Sequence, residues 1–236
     1  MNLKELINKK NKAQLAVLVD PDKFNGELIS MAEKSAVSFF LVGGSTLKKN
    51  NLSQTISEIK KRSKKPVIIF PGDETQISKN ADGMLLLSLI SGRNPEYLIG
   101  KHVKAAKKIM ASKLETLSTG YILIDGQRTS TTQKITKTKV IESKSLETIV
   151  DTSLAAQLLG FGAVYLEAGS GAKAAVSAKV IKKVKSAISL PLLVGGGINS
   201  YTKAKLAINA GANVIVIGNS LEKNINLLSE IEKAFL

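Results

Sequence analysis

The sequence predicts a single (β/α)8 barrel, on three observations. Eight short, near-continuous apolar runs recur along the chain, and most are separated by longer stretches with helical spacing. Runs without the apolar/polar alternation of a half-solvated sheet suit parallel strands covered on both faces. Parallel neighbours need crossovers, and eight such units in 236 residues favour closure into one barrel over an open doubly wound sheet, the alternative arrangement. Third, the last two runs end in glycine-rich turns, where barrels commonly place a phosphate.

The elements follow in order. Strands are expected at 16–20, 38–44, 66–72, 83–90, 120–124, 163–169, 192–197 and 214–218, each largely apolar and containing β-branched residues. Helices are expected at 27–36, 52–62, 95–112, 145–159, 174–187, 201–210 and 221–235. The connection after the third strand, DETQISKNA, is too short for a helix of ordinary length, so one outer helix is expected to be degenerate. The stretch DGQRTSTTQKITKTKVIES after the fifth strand is polar and weakly periodic, and reads as a functional loop or a mobile flap. No linker or low-complexity tail divides the chain, so residues 1–236 form one domain.

Composition narrows the chemistry. With 44% hydrophobic residues but 4% aromatic and no Trp, the core must be built mainly from Leu, Ile, Val and Ala. The absence of Cys excludes disulfides, thiolate metal sites and a cysteine nucleophile. The lone histidine, His102, falls inside an expected outer helix as a surface or packing residue, which removes histidine metal clusters and a Ser-His-Asp triad. The N-terminus lacks the apolar stretch of a signal peptide, and no apolar run approaches the length of a membrane span, so a cytoplasmic protein is expected. A net charge of +15 favours anionic partners. It comes almost wholly from lysine, which lacks the planar fork used to read bases, so nucleic acid is not an expected partner.

In such a barrel the chemistry sits where strands end. In VGGGINS, 194–200, three glycines precede a helix start with Asn199 and Ser200 as candidate caps, and IGNS, 217–220, repeats the logic one unit later. Bare backbone amides and a helix N-terminus make each a phosphate candidate, against the plain reading as a tight turn. In YLEAGSGA, Tyr165 and Glu167 are two apart and face the same side of a strand near its end. Gly169, Ser170 and Gly171 form another candidate anion nest. A structural Glu paired with lysine is the alternative for Glu167. At the first strand, Asp20 and Asp22 flank Pro21 before Lys23, and Ser45 and Thr46 end the second. Such hard oxygen donors suit Mg²⁺ bridged to a phosphate, although Asp-Pro-Asp is also a common turn sequence.

Taken in order, LVDPDK, VGGS, YLEAGSG, VGGGI and IGN resemble the geranylgeranylglyceryl phosphate synthase family, which includes the heptaprenylglyceryl phosphate synthases. The resemblance covers essentially the whole chain and is similar to the family's second group. It implies a modified TIM barrel, often with one outer helix lost. It also implies an Mg²⁺-dependent prenyltransferase that joins a polyprenyl diphosphate to the 3-hydroxyl of sn-glycerol 1-phosphate, releasing diphosphate. By similarity Asp20 and Ser45 would hold Mg²⁺. Tyr165, Leu166, Glu167, Ala168, Gly169, Ser170, Gly171, Gly196, Gly197, Gly218 and Asn219 would hold the glycerol phosphate, with Glu167 on its hydroxyls. Other members carry a lysine where this chain has Leu18, and that contact is not carried over.

Within that reaction Glu167 is a candidate proton acceptor, or only positions the diol, and the Tyr165 ring is a candidate stabiliser of an allylic cation. Leu85, Leu87 and Ile90 are expected either to line a prenyl groove or to belong to the barrel core. Family members are usually oligomers, and the lysine excess would aid transient contact with an anionic membrane surface. The alternatives are another phosphate-handling barrel enzyme and, further off, a basic nucleic-acid-binding protein.

Overall fold

The computed structural model describes residues 2–9, 12–49 and 51–236. It opens with α1 (Leu3–Ile7), β1 (Gln14–Val19), α2 (Gly26–Glu33), β2 (Val37–Val42), α3 (Leu52–Arg62) and β3 (Val67–Ile69). There follow β4 (Gly83–Leu89), α4 (Lys101–Ser112), β5 (Thr116–Leu123), α5 (Thr131–Thr136), α6 (Leu146–Leu158) and β6 (Ala163–Glu167). The chain ends with α7 (Ala178–Ala187), β7 (Leu192–Gly195), α8 (Tyr201–Asn209), β8 (Val214–Ile217), α9 (Asn219–Lys223) and α10 (Leu227–Ile231). Each strand pairs in parallel with the next, and β8 pairs with β1, closing the barrel.

Alternation along the strands sorts the apolar residues into two layers. Ala16, Phe39, Leu41, Ile68, Leu85, Leu193 and Val214 fill the barrel interior. Val17, Phe40, Ile69, Ile122, Val164 and Ile215 face outward onto Ile29, Ile56, Ile149 and Ile181 of the surrounding helices. The helices start where short polar side chains take up their free amides: Asn25 at α2, Ser177 at α7 and Ser200 at α8. The Ser177 cap explains why α7 begins after the expected position 174.

Two features shape the two ends of the barrel. At the end opposite the strand C-termini, α1 buries Leu3 and Ile7 completely against the interior layer, a plug that the expected element order lacks. Gly83 makes room for it, since a methyl group there would lie 2.7 Å from Leu3 Cδ1. Between β3 and β4 there is no helix, as the short connection predicts.

Other expectations need correction. The polar stretch after β5 is not without regular structure, because Ser130 caps α5 and Ile141 pairs back onto Ile124. The expected last helix over 221–235 is broken into α9, α10 and a 3-10 turn at Glu232–Ala234. Asn224 interrupts it by accepting the amide of Asn226 with its own side chain. Among the described residues, no helix is long and apolar enough to cross a membrane.

Candidate functional site

The strand ends converge on a broad polar cavity bordered by Asp20, Ser45, Thr46, Tyr165, Glu167, Ser170, Gly171, Gly196, Gly197, Gly218 and Asn219. Residues more than 170 positions apart in sequence are thus brought to one mouth by barrel closure. Five lysines, Lys23, Lys48, Lys49, Lys173 and Lys223, stand around the same cavity, a setting that attracts an anion.

The wall formed by β6 to β8 carries the glycine turns. Gly196 and Gly197 have φ of 80° and 70°, and a methyl group on Gly196 would fall 2.3 Å from Glu167 Oε1 and 2.7 Å from the amide of Gly169. Backbone and carboxylate are therefore packed as closely as only glycine permits. Ser170 donates to Asn219 Oδ1 across the gap between the β6 and β8 loops. Gly218 caps α9 with no side-chain bond. Of the two candidate caps before α8, Ser200 serves, while Asn199 accepts from Lys203 Nζ instead.

Glu167 and Tyr165 point inward from β6, as their spacing predicts. Glu167 is buried, and loss of water pushes its carboxyl up to about 7; the Gly169 amide, 2.6 Å from Oε1, and the nearby Tyr165 hydroxyl only partly offset this. Tyr165 is fully buried, and its hydroxyl lies near the carboxylate without an aligned partner, an unsatisfied polar atom directed at the cavity. Its ring meets those of Phe70, with centroids 5.4 Å apart, and Tyr121, 5.3 Å apart. Three of the chain's ten aromatics (four Tyr and six Phe) thus gather at this one point.

Some expected contacts turn elsewhere. Leu166 and Ala168 face outward by strand alternation and bury their side chains in the layer under the helices. The Gly169 amide is taken up by Glu167 and is not free for an anion. On the opposite wall, Asp22 is structural: its two oxygens accept the amides of Lys48 and Lys49 at 2.8 and 3.2 Å, fastening the loop after β2. Lys23 leans mainly on Glu222, at 2.8 Å, and lies 3.7 Å from Asp20.

Asp20 and Ser45 both border the cavity, and the β2 loop comes close to Asp20: a methyl group on Gly44 would lie 3.4 Å from its Oδ1. One carboxylate and one hydroxyl are hard oxygen donors of the kind that suit Mg²⁺. Among the described residues no three His, Cys, Asp or Glu side chains cluster into an all-protein metal site.

A second, apolar cavity, partly open to solvent, lies between β4 and α4. Met84 and Leu86, from the outer face of β4, and Leu87 and Leu89, from the face that packs with the barrel interior, line one side, and His102, Ala105 and Ile109 of α4 line the other. Of the residues considered for such a groove, only Leu87 borders it; Leu85 fills the barrel interior and Ile90 packs under the helices. His102 is a half-buried packing residue of this wall, where burial lowers its basicity. At the rim Lys101 bridges Asp73 and Glu74. Despite partial burial, that lysine and Thr75 hold the Asp73 carboxyl down to about 2. The two cavities share Ser45, Phe70, Tyr121 and Thr132. Sequence reasoning missed Phe70, Tyr121 and Thr132. The scarcity of aromatics was the one available signal for the first two.

The sequence matches the PcrB family over residues 7–235. The chain belongs to that family. A geranylgeranylglyceryl phosphate synthase of Zunongwangia profunda is 50% identical over 91% of this chain and 93% of its own. One of Thermoplasma volcanium is 36% identical over 96% and 92%. The crystal structure of (S)-3-O-geranylgeranylglyceryl phosphate synthase from Thermoplasma acidophilum, in complex with sn-glycerol-1-phosphate, superposes with a TM-score of 0.93. That structure is 33% identical in sequence and covers 100% of this chain and 98% of its own.

Proposed function

We propose that this protein is a prenyltransferase that joins a polyprenyl diphosphate to the 3-hydroxyl of sn-glycerol 1-phosphate, with Mg²⁺ as cofactor. The observation that carries the reading is the meeting of an apolar groove and a lysine-ringed polar cavity at Ser45, Phe70, Tyr121 and Thr132. One substrate with a long apolar tail and one small anion need that pairing. The family and the activity of its relatives support it.

In this reading the turns at Ser170–Gly171, Gly196–Gly197 and Gly218–Asn219 hold the glycerol phosphate, and Glu167 binds its hydroxyls. The tail lies in the groove along β4. Asp20 and Ser45 would hold Mg²⁺, which would supply charge neutralisation for the leaving group. As the allylic carbon–oxygen bond breaks, the faces of Tyr165, Tyr121 and Phe70 offer π-electron density to the positive charge on carbon. The glycerol 3-oxygen bonds to that carbon and its proton passes to the Glu167 carboxylate. A carboxyl near 7 is matched to proton transfer at neutral pH.

The test is incubation with labelled sn-glycerol 1-phosphate, Mg²⁺ and a series of polyprenyl diphosphates. Label passing into extractable lipid, and stopping with EDTA, is the expected result; no transfer from any donor overturns the reading. Glu167→Ala is expected to lower kcat by roughly 10²- to 10⁴-fold at saturating glycerol phosphate. Unchanged kcat there would leave Glu167 a binding residue only. A homo-oligomer in the cytoplasm with transient, salt-sensitive contact to anionic lipid belongs to the same reading; sedimentation and vesicle flotation test it.

A further inference from the structure

Gln76 lies in the helix-free connection between β3 and β4, and it is buried. Its Oε1 accepts the amides of Gly44 and Gly72, each at 3.3 Å, and its Nε2 donates to the Gly44 carbonyl at 2.7 Å. One side chain thus holds both backbone polar groups of the residue next to Ser45, and ties them to the loop after β3. The two loops are in backbone contact: a methyl group on Gly72 would sit 2.2 Å from the Gly44 carbonyl oxygen and 2.6 Å from Ser45 Cα. On Gly43 it would sit 1.9 Å from the Phe70 carbonyl oxygen. The same Gly44 borders Asp20. Asp20, Ser45 and Phe70, on the diphosphate side of the cavity, therefore rest on or beside this clamp. The turns of β6 to β8 do not.

We propose that Gln76 is a positioning residue for the diphosphate half of the site. It sets the Gly43–Ser45 loop against Asp20 without itself bordering either cavity. The absent helix gives the reason for its placement. A loop normally braced by the unit's own helix is braced here by one buried amide, and buried amides are costly to leave unpaired. The assignment rests on the transferase reading above, but the clamp can be read independently of it.

The experiment compares wild type with Gln76→Met, which keeps the length and removes all three hydrogen bonds. Should that variant not fold, Gln76→Asn keeps the amide but is too short to span both loops. Three measurements are made: amide hydrogen exchange over 40–47 and 70–76, calorimetric binding of inorganic diphosphate with Mg²⁺ and of sn-glycerol 1-phosphate, and steady-state kinetics. Faster exchange in those two segments is expected, with binding of diphosphate and KM for the prenyl donor weakened about tenfold, the scale of one lost positioning contact. Glycerol phosphate binding should stay within about twofold of wild type, close to no change in free energy. Equal losses on both substrates, or unchanged exchange at the two loops, would overturn the proposal. An inactive wild type would overturn the transferase reading alone, because exchange and binding still report on the clamp.

Discussion

At the residue scale, Glu167 concentrates the tension between folding and chemistry. A buried carboxyl whose folded value is raised to about 7 from 4.5 binds more protons folded than unfolded between those pH values. Stability is therefore lost as pH rises through that window, by about 3 kcal/mol as an upper bound. Glu167→Gln keeps an acceptor for the Gly169 amide and carries no charge. Its melting temperature should match wild type near pH 4.5 and exceed it increasingly up to pH 8, by calorimetry across that range. An equal difference at both ends would mean that the carboxylate is not held at a cost. In the same window kcat/KM of wild type should climb with pH as Glu167 ionises and becomes able to take a proton.

At the element scale, what the structure lacks matters as much as what it has. The helix missing after β3 leaves Met84 and Leu86 without a helix of their own unit, and α4 closes over them to leave a groove lined by the small, buried Ala105. Ala105→Phe would fill it. Donors long enough to pass that level should lose roughly tenfold or more in kcat/KM, corresponding to about 1.4 kcal/mol, while short donors lose little. Equal losses for all lengths would argue that the tail runs elsewhere. The short DETQISKNA connection made this gap legible from sequence, because length alone denies it a full helix. The strands were legible for a related reason: burial on both faces leaves an uninterrupted apolar run. Tyr165 and Glu167 were legible through strand periodicity, and the glycine turns through backbone approach. Leu166 and Ala168 show the limit of carrying a motif across whole, since alternate residues of one string must face opposite ways. Phe70 and Tyr121 come from separate strands and meet only by closure. Gln76 has no periodicity, and α1 is too short to carry one.

At the scale of the whole molecule, the barrel has a stopper at one end, a mouth at the other and a groove along its flank. The plug of Leu3 and Ile7 denies any passage through the axis. The glycine turns open over the mouth, and the groove opens along the flank. Neither doorway lies behind the other, so a head group and a tail can arrive in either order, and neither waits for its companion. In the proposed reading the finished ether lipid has no such freedom: its head and tail are one molecule, which would span the residues the two cavities share, Ser45, Phe70, Tyr121 and Thr132. It blocks both doorways at once. Added product should therefore inhibit competitively against each substrate in turn, where a protein with a single shared entrance and obligatory order would show competition against only one. Turnover is then expected to follow how fast an amphiphile can leave sideways, and a lipid phase that accepts it becomes part of the working enzyme.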